Sequence, residues 1–351
     1  MMISNFWKAT TIRMSSSLFE LHPSLSETTT LYRTMDFFSA ASIVSNRELM
    51  FTRADVFPDK NEGIDRILAQ LHSAGHGGCG GMGWNDIVSA REQHEQVKRS
   101  HYISCWSKTV ESVAMWSLYS PDQCSVRVST STAKLKQSVE ALLEKYSFTR
   151  LSDADLDKNA AVAVSGQIAP VAYASLHYIA QRITRRVKAF RRIESRYKRL
   201  GKSLPALEEI NHRYYEREQQ RTLKELRDTC RLKDSSFGHE DEVRLCVRLG
   251  EEPWKLANKS LKSEYLNPGH KYHVSLRATL NVFRFVFSVP IPPREFVPCS
   301  PDLVETVAID PRCPPHKAKF IREWFSSRGI NVVESTCFGY LPESFEVFPT
   351  R

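Results

Sequence analysis

The stretch that decides the fold class is Glu240-Asp241-Glu242-Val243-Arg244-Leu245-Cys246-Val247-Arg248-Leu249. Apolar and polar residues alternate along it, and a period of two is typical of a β-strand with two different faces. The apolar face carries Val243, Leu245, Val247 and Leu249, and the polar face carries Glu240, Glu242, Arg244, Cys246 and Arg248. We therefore predict a strand over residues 240–249 whose apolar face packs on a core.

Further strands and helices are predicted on both sides of this stretch. The strands cover residues 31–35, 48–53, 101–107, 125–129, 273–276, 282–289, 304–309 and 330–333. Helices are predicted at 37–44, where Asp36 is a favourable N-cap, at 112–120, at 132–146 and at 316–328. Because strands and helices intermix, the predicted class is α+β, a mixed or antiparallel sheet with flanking helices.

The predicted domain organisation has three parts. Residues 1–30 are expected to form a poorly ordered leader, and residues 31–351 a single α+β domain. Within that domain, apolar residues recur every three or four positions from Leu176 to Leu200 and again, less regularly, beyond Pro205. This period predicts two antiparallel helices, inserted as a helical hairpin over residues 170–232.

The composition of the 351 residues is that of an ordinary globular protein, with 41% hydrophobic and 25% charged residues. No apolar run approaches the roughly 18 residues that a membrane-spanning helix needs, so no membrane partner is expected. The eight cysteines include no Cys-x-x-Cys pair, which favours free thiols in a reducing compartment. We therefore predict a cytoplasmic protein of unknown oligomeric state.

The positive charge is concentrated in one segment. Residues 182–233 contain 17 Lys and Arg against 7 Asp and Glu, whereas the rest of the chain has 32 against 33. A local basic surface attracts phosphate groups or acidic partners. The candidate nucleic-acid-binding residues are Arg185, Arg186, Arg191, Arg192 and Lys198. A solvated helix face or an acidic protein partner explains the same charges, so these alternatives stay open.

A metal site is not predicted. His72, His76 and Cys79 have a spacing that could place ligands together on a helix. However, Gly75 and Gly77 break such a helix, and the sequence places no fourth ligand.

Several segments together are familiar in order and spacing. They are Leu31-Tyr32-Arg33, Leu49-Met50-Phe51, Ile103-Ser104-Cys105-Trp106-Ser107, Met115-Trp116-Ser117-Leu118-Tyr119 and His239-Glu240-Asp241-Glu242-Val243-Arg244-Leu245. With these marks the chain resembles the bacterial domain-of-unknown-function family numbered twenty-nine seventy-one, over roughly Leu31 to Leu249. It departs from the family pattern at Phe57-Pro58-Asp59, where the family often has Asn-Asp-Pro after the phenylalanine. The resemblance implies a fold and no settled activity.

The polar residues of these motifs occur in an order that is similar to that of ADP-ribosyltransferases. That class uses an Arg on an early strand, a Ser on a middle strand and Glu-x-Glu on a late strand. Here the early strand offers Tyr32 and Arg33, the middle strand Ser104 or Ser107, and the late strand Glu240 and Glu242. The likeness implies an NAD-using enzyme or effector, with a place in bacterial defence or stress.

The residue types suit that chemistry. An Arg fork can bind the diphosphate of NAD, and a Ser hydroxyl can position its nicotinamide half. Glu242 would stabilise the cationic transition state as nicotinamide leaves, and Glu240 would orient the acceptor. Two carboxylates side by side are expected to raise the pKa of one of them.

A structural alternative stays open for the same residues. Glu242 beside Arg244 can be an ion pair, and alternating polar residues on a strand are typical of a solvated face. Arg33 could be a structural partner of either acid. We therefore weigh the transferase hypothesis against a non-enzymatic binding protein that acts through the hairpin, and against an inactive scaffold. The catalytic hypothesis predicts that Arg33, Ser104 and Glu242 line one cleft.

Overall fold

A computed structural model describes residues 18–63, 98–147, 161–178, 180–181, 192, 195–196, 198–201, 230–250 and 291–339. The described strands are β1 (Phe19–Leu21), β2 (Thr30–Asp36), β3 (Glu48–Arg53), β4 (His101–Ser107), β5 (Ser125–Ser131), β6 (Val162–Pro170), β7 (Ala172–Ala174), β8 (Leu232–Asp234), β9 (Glu242–Gly250), β10 (Arg294–Pro298), β11 (Thr306–Ile309) and β12 (Asn331–Val333). Among the described residues, the helices of at least seven residues with continuous bounds are α1 (Phe37–Asn46), α2 (Val113–Tyr119), α3 (Thr132–Lys145) and α4 (Pro315–Ser326).

Ten of the described strands form one mixed sheet. The order across it is β1-β6-β9-β4-β2-β5-β11-β12, and β3 pairs with both β4 and β10 beside this path. The pairs β1/β6 and β11/β12 are parallel, and the other pairs of this sheet are antiparallel. The α+β class is confirmed, and β9, β4 and β2 lie next to each other at the centre of the sheet.

Strand β4 changes partner along one of its edges. Its C-terminal residue Ser107 lies opposite Tyr32 of β2, whereas Tyr102 and Ile103 lie opposite residues of β3. On its other edge β4 pairs with β9 along its whole length. The sheet therefore opens beside the middle of β4, between β2 and β3.

The two faces of the central strands pack differently. Tyr102 and Trp106 of β4 belong to the main core, together with Val243, Leu245 and Val247 of β9. Ile103 of β4 and Cys246 of β9 face the other way and form a smaller apolar cluster with Ala54 and Cys230. The predicted alternation along β4 and β9 is thereby confirmed.

Helix ends follow the local sequence. The side chain of Asp36 caps α1 and accepts a hydrogen bond from the backbone N–H of Ser39 at 2.9 Å. Pro315 occupies the first turn of α4, where a missing N–H costs nothing, and Gly329 has a φ of +75° just after that helix. α3 packs on β6 and β9, and its buried residues include Leu135, Val139 and Leu142.

Several predictions about the elements need correction. Five strands escaped sequence reasoning: the short strands β1, β7, β8 and β10, and the nine-residue strand β6. β1 pairs with β6 and Leu25 is buried, so the predicted leader boundary at residue 30 lies too late in the chain. The predicted strand over 240–249 begins at Glu242, because Glu240 ends a 3-10 helix (Ser235–Glu240) and Asp241 has a φ of 39°.

The predicted hairpin lies mostly outside the described residues, as do the strands predicted at 273–276 and 282–289. Every described residue between 176 and 199 is helical. β7 and β8 pair in parallel, with Ala172 opposite Leu232, so the two ends of the predicted insertion lie side by side.

Candidate active site

One polar row crosses the centre of the sheet. Glu242 of β9 lies opposite Ser107 of β4, Ser107 lies opposite Tyr32 of β2, and Tyr32 lies opposite Ser129 of β5. Directly opposed residues of antiparallel strands point to the same face. The predicted site residues Glu242, Ser107 and Tyr32 are therefore brought together, although they are far apart in the sequence.

A buried cluster of charges surrounds the Glu242 end of this row. Arg244 is only 1% exposed, and it donates to Glu242 from Nε at 2.8 Å and from Nη2 at 3.2 Å. Its Nη1 and Nη2 also form a fork with the carboxylate of Glu62, the Nη2 bond measuring 2.9 Å. The carbonyl of Cys230 accepts a further bond from Nη1 at 2.6 Å. The ion-pair alternative is confirmed, and the solvated-face alternative is wrong for this part of β9.

Lys233 of β8 joins the two predicted catalytic carboxylates. Its Nζ lies 2.6 Å from Oε2 of Glu240 and 3.3 Å from Oε2 of Glu242. The hydroxyl of Tyr119 donates to Oε1 of Glu240 at 2.7 Å. Glu240 and Glu242 thus remain neighbours, linked by one ammonium group, although Glu240 does not lie on the strand.

The expected rise in the pKa of one of these acids does not occur at Glu242. Burial alone raises the pKa of Glu242, but the charges and hydrogen bonds of Arg244, together with Lys233, outweigh burial and lower the pKa to about 2. The attraction of two neighbouring cations outweighs the repulsion of one neighbouring carboxylate. Glu242 is therefore ionised at every physiological pH. Its environment suits a fixed negative charge and not a proton acceptor.

Arg33 and Ser104 lie elsewhere. Arg33 donates from Nη1 to Oγ of Ser104 at 3.0 Å, and its guanidinium lies 6.0 Å from the ring centre of Trp106. Ser104 shares its face of β4 with Trp106, whereas Glu242 shares the opposite face with Ser107. The prediction of one cleft with Arg33, Ser104 and Glu242 is therefore corrected, because side chains alternate along β4.

Arg33 nevertheless lies within electrostatic range of the cluster. Burial lowers the pKa of Arg33, and the charges of Cys105, Tyr119 and Glu242 act in the opposite direction. Because the sheet opens beside the middle of β4, between β2 and β3, the Arg33 side chain of β2 reaches across this opening to Ser104 of β4. We interpret Arg33 as a structural residue that links β2 to β4 across this opening, and not as a ligand of diphosphate.

An open pocket lies on the Glu242 side of the sheet. It lies between β2, β4, β5 and α2, and its cavity volume is about 10 Å³, room for about one water molecule. Tyr32 and Ser107 line it, and so do Glu111 and Arg127, which sequence reasoning missed. Arg127 lies 5.4 Å from the ring centre of Tyr32, measured from its guanidinium carbon.

Other residues that carry the site also escaped the sequence analysis. Glu62 was given no role, and Lys233 was counted only with the basic segment. The useful signal was Arg244 itself, since a cation flanked by apolar residues on a central strand requires buried acids. Nothing in the local sequence identifies which acid will reach it.

The remaining candidates can be described only in part. Arg192 and Lys198 are exposed, and Arg185, Arg186 and Arg191 lie outside the described residues, as do His72, His76 and Cys79. Within the described part of the chain, no group of three or more His, Cys, Asp or Glu side chains could hold a metal ion. None of its helices is long and apolar enough to cross a membrane.

The fold and the site define an α+β protein with a buried ionic cluster beside a polar row. Residues 115–245 match the model of a family described as "Protein of unknown function (DUF2971)", so the chain resembles that family. The match begins in α2 at Met115 and ends in β9 at Leu245, so it contains the residues from Met115 to Tyr119 that carry part of the resemblance. No curated protein and no solved structure matches the chain.

Proposed function

We propose that the protein is an NAD-using transferase of the ADP-ribosyltransferase type, acting on the sheet face that carries Glu242, Ser107 and Tyr32. The observation that carries this proposal is the polar row, in which three motif-bearing strands are neighbours with matching register. Strand packing alone requires no such meeting of polar side chains on one face next to a pocket.

The ionised Glu242 suits the role that this chemistry needs. When the bond between ribose C1′ and the nicotinamide nitrogen breaks, the electron pair stays with nicotinamide and positive charge develops on the ribose. A fixed carboxylate stabilises this charge. The acceptor oxygen or nitrogen then bonds to C1′ and releases its proton to solvent. Glu240, linked to Glu242 through Lys233, would orient that acceptor.

The burial of the cluster supports the same role. Among the described residues, three buried carboxylates, those of Glu62, Glu240 and Glu242, face the cations Lys233 and Arg244. Burying each ion costs several kcal/mol, and apolar side chains of similar volume often stabilise a core as well. A functional reason for the cluster is consistent with that cost.

The proposal does not place NAD inside the pocket beside the polar row, because the cavity volume of about 10 Å³ holds about one water molecule. The proposal includes a reducing, cytoplasmic location, supported by seven free cysteines among the described residues.

Release of nicotinamide from NAD tests the proposal. The full-length protein is incubated with NAD and water, protein or nucleic-acid acceptors, and nicotinamide is quantified by chromatography. We expect turnover by the wild type, a loss of about 100-fold in Glu242→Gln, and no change in the exposed control Glu334→Gln. Absence of NAD consumption by the wild type with every acceptor would reject the transferase.

A second candidate is a nucleic-acid- or acidic-partner-binding protein that acts through the basic segment. The observation that favours it is the exposure of Arg192, Arg196, Lys198 and Arg199 in the described helical part. Exposed cations can neutralise phosphates and gain affinity through counterion release. This function does not require the polar row, so the two candidates can be separated by experiment.

A further inference from the structure

Two free thiols meet where the start of β5 lies beside the start of α4. Cys124 directly precedes β5, and Cys313 lies two residues before α4. The sheet holds these two points together, because the backbone N–H of Asp310 donates to the carbonyl of Ser125 at 3.0 Å. The thiol of Cys313 is hydrogen-bonded to that of Cys124. We call these two thiols the dithiol.

The two thiols of the dithiol differ in their access to solvent. Cys313 is 8% exposed and belongs to the main core, whereas Cys124 is partly exposed. Cys124 follows a tight turn in which Gln123 has a φ of 58°, and its backbone N–H donates to the carboxylate of Asp122 at 3.1 Å. A small reagent can therefore reach the sulfur of Cys124, whereas the core shields that of Cys313.

Lys317 in the first turn of α4 places a positive charge beside the exposed thiol. Its Nζ donates a hydrogen bond to Sγ of Cys124 at 3.5 Å. The thiolate is the nucleophilic form of a cysteine, and a neighbouring cation stabilises it. The N-terminal end of a helix, where Lys317 lies, adds partial positive charge. These contacts favour attack by Cys124 on an oxidant.

Burial disfavours reaction at the other described thiols, which are those of Cys105, Cys230, Cys246, Cys299 and Cys337. Cys230 and Cys246 are enclosed in the protein interior. Burial raises the pKa of Cys299 to about 11, and it also raises the pKa of Cys105 and of Cys337. A raised pKa leaves less thiolate at neutral pH, so these thiols should react more slowly.

We infer that Cys124 and Cys313 form a peroxide-reactive dithiol that closes reversibly to a disulfide. Sγ of Cys124 attacks one oxygen of hydrogen peroxide, the O–O bond breaks, and the leaving hydroxide takes up a proton and becomes water. The sulfur of Cys124 is then a sulfenic acid, oxidised by two electrons, and the peroxide is reduced.

Cys313 supplies the second step. Its sulfur bonds to Sγ of Cys124 as the S–O bond breaks, and its thiol proton joins the leaving hydroxide to form a second water. Burial raises the pKa of Cys313 to about 12, so this thiol keeps the proton that the leaving group needs. Its contact with Cys124 offsets its low thiolate content, because the attack is intramolecular. A small dithiol reductant would return both thiols by exchange.

A disulfide at this place would join two segments that also hold helix α2. Arg312, next to one cysteine, donates from Nη2 to the carbonyl of Trp116 at 2.9 Å. Ser125, next to the other, donates from Oγ to the carbonyl of Tyr119 at 3.0 Å. Both carbonyls belong to α2, so oxidation would restrain the supports of this helix. The inference does not rest on the proposed function, since it requires no NAD.

Timed oxidation of the reduced full-length protein by hydrogen peroxide tests the inference. Free thiols are blocked with N-ethylmaleimide at each time point, and linked peptides are identified by mass spectrometry. We expect the Cys124–Cys313 link to be the first and main product among the eight cysteines, and to disappear after dithiothreitol. A different first link, or no link between these two cysteines, would overturn the inference.

Two variants test the assigned roles. Lys317→Met keeps the side-chain length but removes the charge, so formation of the link should slow roughly tenfold. The matched control Lys319→Met lies on the same helix, where its ammonium is 3.9 Å from a carboxylate oxygen of Glu323, and it should keep the wild-type rate. In Cys313→Ser the sulfenic acid of Cys124 should persist and be captured by dimedone. Equal rates in the two lysine variants, or capture at another cysteine first, would also overturn the inference.

Discussion

Arg244 donates from Nε to Oε1 of Glu242 at 2.8 Å, from a position two residues further along the same strand. Both side chains are almost completely buried. The pair is therefore not a surface ion pair, whose contribution to stability is close to zero. It is part of an interior cluster in which each charge is compensated by the others. The same contacts that would fix Glu242 for its proposed catalytic role also make it important for folding.

We predict that Glu242→Gln lowers the free energy of unfolding by roughly 3 kcal/mol or more. The neutral amide leaves Arg244 and Lys233 with less compensating charge in the interior. Urea unfolding at neutral pH measures the change. The exposed control Glu334→Gln should stay within about 0.5 kcal/mol of wild type. An unchanged stability of Glu242→Gln would contradict the described cluster.

Acidic pH should remove the contribution of Glu242 to the free energy of unfolding. The folded pKa of Glu242 is lowered to about 2 from its ordinary value of 4.5, so its stabilisation is present above pH 4.5 and is lost as the pH falls towards 2. A shift of this size corresponds to roughly 3 kcal/mol. We expect the stability difference between wild type and Glu242→Gln to narrow between pH 6 and pH 3. A difference that is constant over this range would show that the carboxylate pKa is not lowered.

Replacing Arg244 by lysine should remove its two hydrogen bonds to Glu62 and destabilise the fold. Arg244→Lys keeps the charge but cannot reach Glu62, Glu242 and the Cys230 carbonyl at once, so we expect a loss of roughly 2–4 kcal/mol. The double variant with Glu62→Gln should lose less stability than the sum of the losses in the two single variants, because both replacements remove the same interaction. Strict additivity, measured by the same unfolding experiment, would argue against the fork.

The sequence predicts the long and strongly patterned elements well. Strands β3 and β4 have the predicted bounds, and no end of α1, α3 or α4 differs from its prediction by more than two residues. Each of these elements buries one face, so apolar residues recur along it with a regular period. This period can be read from the local sequence alone. β1, β7, β8 and β10 have three to five residues each, too few for a period to stand out, and only their partners in space define them.

The candidate site is predictable in its residue types but not in its geometry. Glu242, Ser107 and Tyr32 meet because β9, β4 and β2 are neighbours, and strand order is a long-range property. The choice between Ser104 and Ser107 depends on register, since residues three apart on a strand face opposite ways. Arg127 and Glu62 gave no local signal, because their partners Glu111 and Arg244 lie elsewhere in the chain.

Gly166 of β6 allows α3 to pack closely on the sheet. A Cβ at this position would lie 2.8 Å from Cδ1 of Leu143 and 2.9 Å from Cγ1 of Val139. We predict that Gly166→Ala destabilises the fold by roughly 1–3 kcal/mol through overpacking. Gly238 is the matched control, because its Cβ would meet nothing within 4 Å, and Gly238→Ala should cause no loss. Equal thermal unfolding of the two variants would show that α3 does not press on Gly166.

The basic segment provides the last prediction, which concerns the binding candidate. If this segment contacts nucleic-acid phosphates, its affinity should fall steeply as the salt concentration rises, because each neutralised phosphate releases counterions. The fall should be similar for oligonucleotides of unrelated sequence. Replacing Arg185, Arg186, Arg191 and Arg192 together by Gln should weaken binding and reduce the salt slope by up to roughly one per lost phosphate contact. Fluorescence anisotropy with labelled single- and double-stranded oligonucleotides measures both quantities. The polar row is untouched by these changes, so NAD turnover serves as the internal control. Binding that ignores salt or survives the four replacements would remove phosphate contact by this segment, and an acidic protein partner or a solvated helix face would remain.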